Sequence, residues 1–341
     1  MREKRVASWQ DSNVESVSIA DRLASAGVSL ACPRCRGAVN PTTSGFSCSV
    51  CQSKYPVIEG LPDFRIEPDR FLTMEQDREK GIRVLEQGGG DFERTLDAYW
   101  AATAETDSGL AEAYKRRQLA EGAIGESEYA ELVRCCGASL GPLLDTGCRL
   151  GGLVSHASSH RMAVGVDSAF RWLLVAKLRA QGTKAIFICA NPEALPFAGG
   201  FETVHCSDLV EHLPNPGAAL QECRRVLVGT GSALIASNNR YSLGPEPHSR
   251  LIGVGWLPRA LQQPYVRWRT GRDYSRVRLP SPGDLRREVT VAGFHPEKVK
   301  SAPVQSGHLG GFERQIAGVY ERARGWVPSA VAPRIQVIAR P

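Results

Sequence analysis

The chain has 341 residues and a formal charge of +6, with 42% hydrophobic residues, 23% charged residues and ten cysteines. That length provides for two or three domains with a real core, and the composition excludes a disordered or low-complexity chain. No apolar run approaches the roughly 20 residues that span a bilayer, and the N-terminus lacks the apolar core of a secretory signal. A cytoplasmic protein without a membrane partner is expected, its cysteines serving as metal ligands or buried thiols.

Residues 1–28 read as a flexible N-terminal segment, and 29–64 as a small module rich in Cys, Gly and Pro. In it, Cys32-Pro-Arg-Cys35 and Cys48-Ser-Val-Cys51 are two Cys-x2-Cys knuckles separated by twelve residues. Each knuckle turns two thiolates toward one point, and the pair supplies the tetrahedral sulfur shell that Zn²⁺ prefers. Four thiolates leave no position for water, so the expected zinc is structural. A module of about 34 residues could hardly fold without such a staple.

Residues 65–134 carry helical text such as FLTMEQDREKGIRVLEQ, broken at 88–90 and near Gly122, and form an expected helical cap region containing Tyr99 and Trp100. From residue 140, short β-rich runs follow: LLDTG (143–147), AVGVD (163–167), AIFICA (185–190), FETVHCSD (201–208) and ALIASNN (233–239). Helical stretches at 170–181 and 216–228 lie between them. The alternation predicts an open, mostly parallel α/β sheet with helices on both faces. KVKSA (298–302) and RIQVIAR (334–340) predict a terminal antiparallel pair.

LLDTGCRLGG (143–152) is a strand, a glycine turn and a helix start. Gly147 lets the backbone approach a ligand, Gly151 keeps the helix near the strand, and Asp167 stands where a carboxylate can accept ribose hydroxyls. Loop and acid together fit either a nicotinamide dinucleotide or S-adenosylmethionine (SAM). Three features favour SAM: no third phosphate-cradling glycine, Asp145 ahead of the loop, and Cys148 after Gly147.

Residues 140–239 resemble class I SAM-dependent methyltransferases of the type 11 group, through LLDTGCRLGG, GVD, NPEALPFAGGFETVHCSDLVEHLPNP and ALQECRRVLVGTGSALIASNN. Residues 30–64, with Tyr55-Pro-Val-Ile-Glu-Gly-Leu-Pro62 after the second knuckle, resemble the zinc ribbons that partner or precede such enzymes. The resemblance implies a Rossmann-like, doubly wound, seven-stranded sheet over 135–341, with a cap insertion at about 240–280. It implies that Asp145, Gly147 and Gly151 line the methionine moiety and that Asp167 and Ser168 hold the ribose. Asn191 and Glu193 would flank the adenine, and Ser207 would close the site. Two positions depart from the family pattern: Arg149 replaces the second glycine of Gly-Cys-Gly, and Asn191 replaces an Asp.

Methyl transfer from a sulfonium needs alignment and, for a protonated acceptor, one base. The candidates are His248, His212 and Tyr241, while His205 reads as a packed core residue. The leading function is methylation of a small molecule in bacterial specialised metabolism, the excess of 34 Arg over 8 Lys fitting a high-GC genome. Alternatives are methylation of rRNA or tRNA, a non-methylating SAM reaction that cyclises or cleaves, and a non-catalytic SAM-binding protein. Charge bears on the choice. Residues 63–131 sum to −8 and 240–290 to +6, which favours a small anionic acceptor, or two caps that attract each other, over nucleic acid.

Overall fold

A computed structural model describes residues 12–103, 108–138, 141–305 and 311–341. The chain opens with helix α1 (Ser12–Ser25), inside the segment expected to be flexible. Among its described side chains, Ser16, Ile19 and Leu23 are the buried ones, a stripe too narrow to stand out in the sequence. After β1 (Ser29–Leu30), strands β2 (Val39–Thr42), β3 (Gly45–Cys48), β4 (Lys54–Ile58) and β5 (Leu61–Pro62) form an antiparallel ribbon. A Cβ on Gly45 would meet the Tyr55 carbonyl at 2.2 Å, so the β2–β3 turn needs glycine.

The expected helical region holds α2 (Met74–Gly88), α3 (Phe92–Ala101), α4 (Ser108–Leu119) and α5 (Glu121–Cys136). A Thr73–Gln76 capping box starts α2, and Gly89 at φ +60° ends it. The sheet domain follows as β6 (Leu143–Thr146), α6 (Gly152–Ala157), β7 (Ala163–Asp167), α7 (Phe170–Arg179), β8 (Ile186–Cys189), β9 (Phe197–Gly199) and β10 (Phe201–Ser207). It continues through α8 (Pro216–Val226), β11 (Leu227–Asn238), α9 (Arg259–Thr270), α10 (Pro282–Val291), β12 (His295–Pro296), β13 (Lys300–Ser301), α11 (Gly311–Ala323) and β14 (Arg334–Arg340).

The main sheet runs β12-β14-β11-β10-β6-β7-β8, with β13 also on β14, so β12 and β13 share one edge position and seven positions result. Strands β6, β7, β8, β10 and β11 are parallel, and β14 is antiparallel to β11. The terminal antiparallel pair is β13 with β14. Strand order reverses between β6 and β10, where ligands of such sheets sit beyond the carboxyl ends.

Alternating strand residues divide the core into two layers. Leu143, Ala163, Phe187 and Leu234 face α5, α6 and α7. Leu144, Val164, Val204 and Ile235 face α8 and α10, and that layer continues without a break into Val28, Phe46, Tyr55 and Phe64 of the ribbon. The ribbon therefore belongs to the core of the sheet domain. β1 pairs with β9, and Arg36 in the first knuckle donates to the Leu195 carbonyl and to Glu222.

Candidate functional site

β6 turns into α6 through Gly147, Arg149 and Gly151, all at positive φ. A Cβ on Gly151 would lie 2.5 Å from the Phe187 ring, which explains glycine there. Asp167, at the end of β7, faces this turn. Its Oδ2 accepts the Arg149 N–H at 3.0 Å and its Oδ1 the Ala169 N–H at 2.9 Å. Burial raises its carboxyl above the ordinary range against those two bonds, yet the residue stays partly exposed. A fixed, reachable carboxylate beside a glycine turn suits a diol.

Arg149 takes the left-handed conformation where the family pattern has glycine, at φ +52°. Its guanidinium lies against α5, 3.1 Å from Glu121 and 3.3 Å from Glu128, and 3.8 Å from Asp208. Asp208 also pairs with Arg334 at 2.7 Å and Arg117 at 3.0 Å. Burial opposes the charge on Asp208, but these arginines hold it far below the usual carboxylate range. Glu121 and Glu128 of the helical region thus pair with Arg149 of the sheet domain, and Arg117 of the helical region pairs with Asp208 of the sheet domain. Arg259 and Arg287 of the basic stretch pair instead with their own Asp284. The two caps meet through Arg70 and Arg276, each donating to the other's backbone carbonyl.

Asp145 accepts from His205 Nδ1 at 2.8 Å through Oδ1. Ser168 offers its carbonyl to Arg65, which also bridges Asp63 and Asp77 in a fully buried ion pair network. Asn191, expected beside adenine, has its side chain committed elsewhere. Its Oδ1 accepts the N–H groups of Ile66 and Glu67, and its Nδ2 donates to the Glu67 carbonyl. The stretch after the ribbon is thereby pinned along the end of β8, where Phe64 N–H also donates to the Cys189 carbonyl. Glu193 nearby is half-buried, and burial raises its carboxyl. Ser207 accepts from Arg334 at 2.8 Å and lines a cavity under α5.

His212 and His248 meet, Nε2 to Nε2, at 3.3 Å, and His248 Nδ1 lies 2.7 Å from the buried Glu246. Burial lowers His212 to about 3, reinforced by the neighbouring His248 charge. Burial also opposes charge on His248, but Glu246 outweighs it and the net shift is upward. Each of these Nε2 atoms is occupied by the other. Tyr241 packs on Trp256, with Arg240 over its ring. Tyr99 and Trp100 pack against Trp172 of α7 as part of the helical layer.

The four knuckle sulfurs lie within 4.8 Å of one another, Cys32 to Cys51 at 3.6 Å and Cys35 to Cys48 at 3.4 Å. A tetrahedron with Zn–S bonds of about 2.3 Å needs sulfurs about 3.8 Å apart, so the set fits zinc with small adjustment. Cys148, Cys189, Cys206 and Cys223 are buried and Cys135 and Cys136 partly so, as expected of plain thiols.

Residues 144–235 match the family described as a methyltransferase domain. This stretch of the sheet region is similar to methyltransferase domains. Among curated relatives of this chain, a ubiquinone biosynthesis O-methyltransferase of Dechloromonas aromatica is 31% identical over 165 residues, 46% of this chain and 66% of that protein. Its counterpart in Idiomarina loihiensis is 33% identical over 134 residues, 36% and 53% of the two chains. The chain thus spans about half to two thirds of the length of the curated relatives it matches. A solved SAM-dependent methyltransferase of Mesorhizobium loti is 17% identical, covering 65% of this chain and all of that one, with a TM-score of 0.45. Among the described residues, no helix is long and apolar enough to cross a membrane.

His205 reads in the sequence as a packed core residue, and it is buried at 3% exposure. Register is the signal that finds its partner, because β10 sets His205 directly opposite Asp145 of β6.

Proposed function

We propose that this protein is a SAM-dependent methyltransferase acting on a small-molecule acceptor. The observation that carries the reading is the held, partly exposed Asp167 carboxylate facing the Gly147–Gly151 turn, within a domain that matches methyltransferases. Asp145 Oδ2 has no hydrogen-bond partner among the described residues, which leaves it for a ligand amine. When bound, SAM supplies an electrophilic methyl on sulfur. Asp167 and Ser168 would hold its ribose, and Asp145, Gly147 and Gly151 would flank its methionine end. Glu193 would stand on the adenine side, while Asn191 would act through the backbone it pins. The relatives are named for O-methylation of a small molecule, which supports an oxygen acceptor here. The basic 240–290 stretch supports an anionic one.

Zinc in the four-cysteine site would act as a structural staple for the shared core. Residues 63–131 carry a net charge of −8, which weighs against a phosphate track and RNA as acceptor.

Calorimetry with SAM and S-adenosylhomocysteine tests the reading. Micromolar binding that is lost in Asp167→Ala is expected, together with S-adenosylhomocysteine in turnover mixtures by mass spectrometry. Methylthioadenosine in its place would assign aminobutyryl cleavage, and no binding at millimolar ligand would remove the proposal.

A further inference from the structure

A cavity of about 220 Å³ lies between α5 and the faces of β10, β11 and β14. Its lining is mixed: Ile124, Leu234, Ala236 and Val304 give an apolar part, while Glu128, Glu131, His205, Ser207, Arg334 and Gln336 give a polar part in which Glu128 and Glu131 are already paired with Arg149 and Arg324. An apolar cavity of about 150 Å³ can hold benzene, so this one has room for a single aromatic ring with one or two substituents.

His205 is 3% exposed and reaches this space from mid-strand. Its Nδ1 is committed to Asp145, which fixes the tautomer and leaves Nε2 as the lone-pair nitrogen. Nε2 makes no hydrogen bond among the described residues. The other two histidines at the carboxyl ends of the strands, His212 and His248, have their Nε2 atoms locked on each other. Compared with His212 and His248, His205 is held in one orientation, lines the cavity and keeps a proton-accepting nitrogen free of hydrogen bonds among the described residues. Its carboxylate partner is also the residue just ahead of the glycine turn, which couples the cavity to the cofactor side of the sheet. Burial disfavours the imidazolium, but Asp145 overcomes this and shifts His205 upward, in the direction that strengthens a base.

We infer that this cavity is the acceptor pocket, that it takes a single-ring phenol, and that His205, oriented by Asp145, removes the phenolic proton. The inference rests on the methyltransferase reading above. In the step, the O–H proton moves to His205 Nε2 and the phenolic oxygen forms the new O–C bond. The methyl–sulfur bond breaks with its electron pair on sulfur, giving S-adenosylhomocysteine, and the imidazolium then releases the proton to water.

The test uses the full chain with 4-nitrophenol, whose phenolate absorbs in the visible, and catechol as the turnover acceptor. Below the ionisation point of free 4-nitrophenol, wild-type protein without added SAM should still develop the phenolate band on binding. His205→Gln should bind the probe without that band, and catechol methylation should fall about 10²–10⁴-fold, the usual worth of a general base. Ala236→Leu, which fills the cavity from β11, should abolish probe binding. Both variants should bind S-adenosylhomocysteine within about twofold of wild type. A phenolate band that survives in His205→Gln, or probe binding that survives in Ala236→Leu, overturns the inference. So does S-adenosylhomocysteine binding by a wild-type protein that binds no 4-nitrophenol. Absence of S-adenosylhomocysteine binding in wild type would instead defeat the methyltransferase reading itself. Should His205→Gln fail to fold, the Ala236→Leu result alone decides.

Discussion

Arg36, in the turn of the first cysteine knuckle, donates to Glu222 of α8 at 2.8 Å across 186 positions of sequence. Glu222 also accepts from Arg225 and from the Leu195 N–H, so one largely buried carboxylate ties the ribbon, the loop after β8 and α8 together. Glu222→Ala should cost about 2–3 kcal/mol, less than a fully buried ion pair because Arg36 keeps contact with water. Urea unfolding would measure it, and a loss under about 0.5 kcal/mol would mean that the tie is decorative.

The continuous core predicts how metal removal behaves. Chelation, or Cys32→Ser, should lower the melting temperature of the sheet domain along with the ribbon, in a single transition. Near-ultraviolet circular dichroism that includes Trp172 on α7 reports the sheet side. An early ribbon transition that leaves the Trp172 signal intact would show two independent units.

Arg149→Gly sets two effects against each other. Relief of the left-handed backbone is worth roughly 1–2 kcal/mol. The substitution also leaves Glu121 and Glu128, both buried, without their cation, which costs about 3–5 kcal/mol. Net destabilisation of about 2–3 kcal/mol is expected by chemical denaturation. A more stable variant would show that the family glycine is preferred here too.

The two paired histidines should give stability opposite slopes on either side of about pH 6.5. His212, lowered to about 3 in the folded protein, lets the unfolded chain bind the extra proton, so stability falls as pH drops from 6.5 toward 3. His248 is raised, so its contribution is complete below 6.5 and is lost as pH climbs through its folded value. Asp208 and Glu211 favour the charged forms here, while Arg70 and Arg117 oppose charge on His212. Glu246→Gln should flatten the high-pH limb and leave the low-pH limb in place. Unfolding at pH 5, 6.5 and 8.5 would show it, and an unchanged high-pH limb would remove Glu246 as the cause.

Asn191→Ala should release the 63–67 stretch from the end of β8. Loss of two accepted N–H groups predicts about 1–2 kcal/mol of destabilisation. Amide hydrogen exchange at Ile66 and Glu67 should quicken, and unchanged exchange would show that the segment is held by other contacts.

The sheet was legible because its strands carry near-continuous apolar runs bounded by glycine turns, and the paired knuckles marked the ribbon by spacing alone. What stayed hidden depended on contacts between distant segments. Asn191 looked like a ligand residue because nothing local in the sequence shows that Ile66 and Glu67 will dock on it. Arg149 looked anomalous until Glu121 and Glu128, seven positions apart on one side of α5, came to face it. His205 reads as a core residue and is buried, but its pairing with Asp145 depends on the β6–β10 register. α1 was invisible because only three of its described side chains are buried.

The shared core also sets an order on folding. At roughly 5–20 residues per second, a ribosome makes α8 about 10–40 s after the first knuckle. Through that interval the side of the ribbon that carries Phe46, Tyr55 and Phe64 has no sheet to cover it. Metal held by the four cysteines would give the nascent ribbon its shape during the wait. The growing sheet would then condense on a template already in place, so zinc supply during synthesis, more than zinc retention afterward, should govern the yield of folded protein.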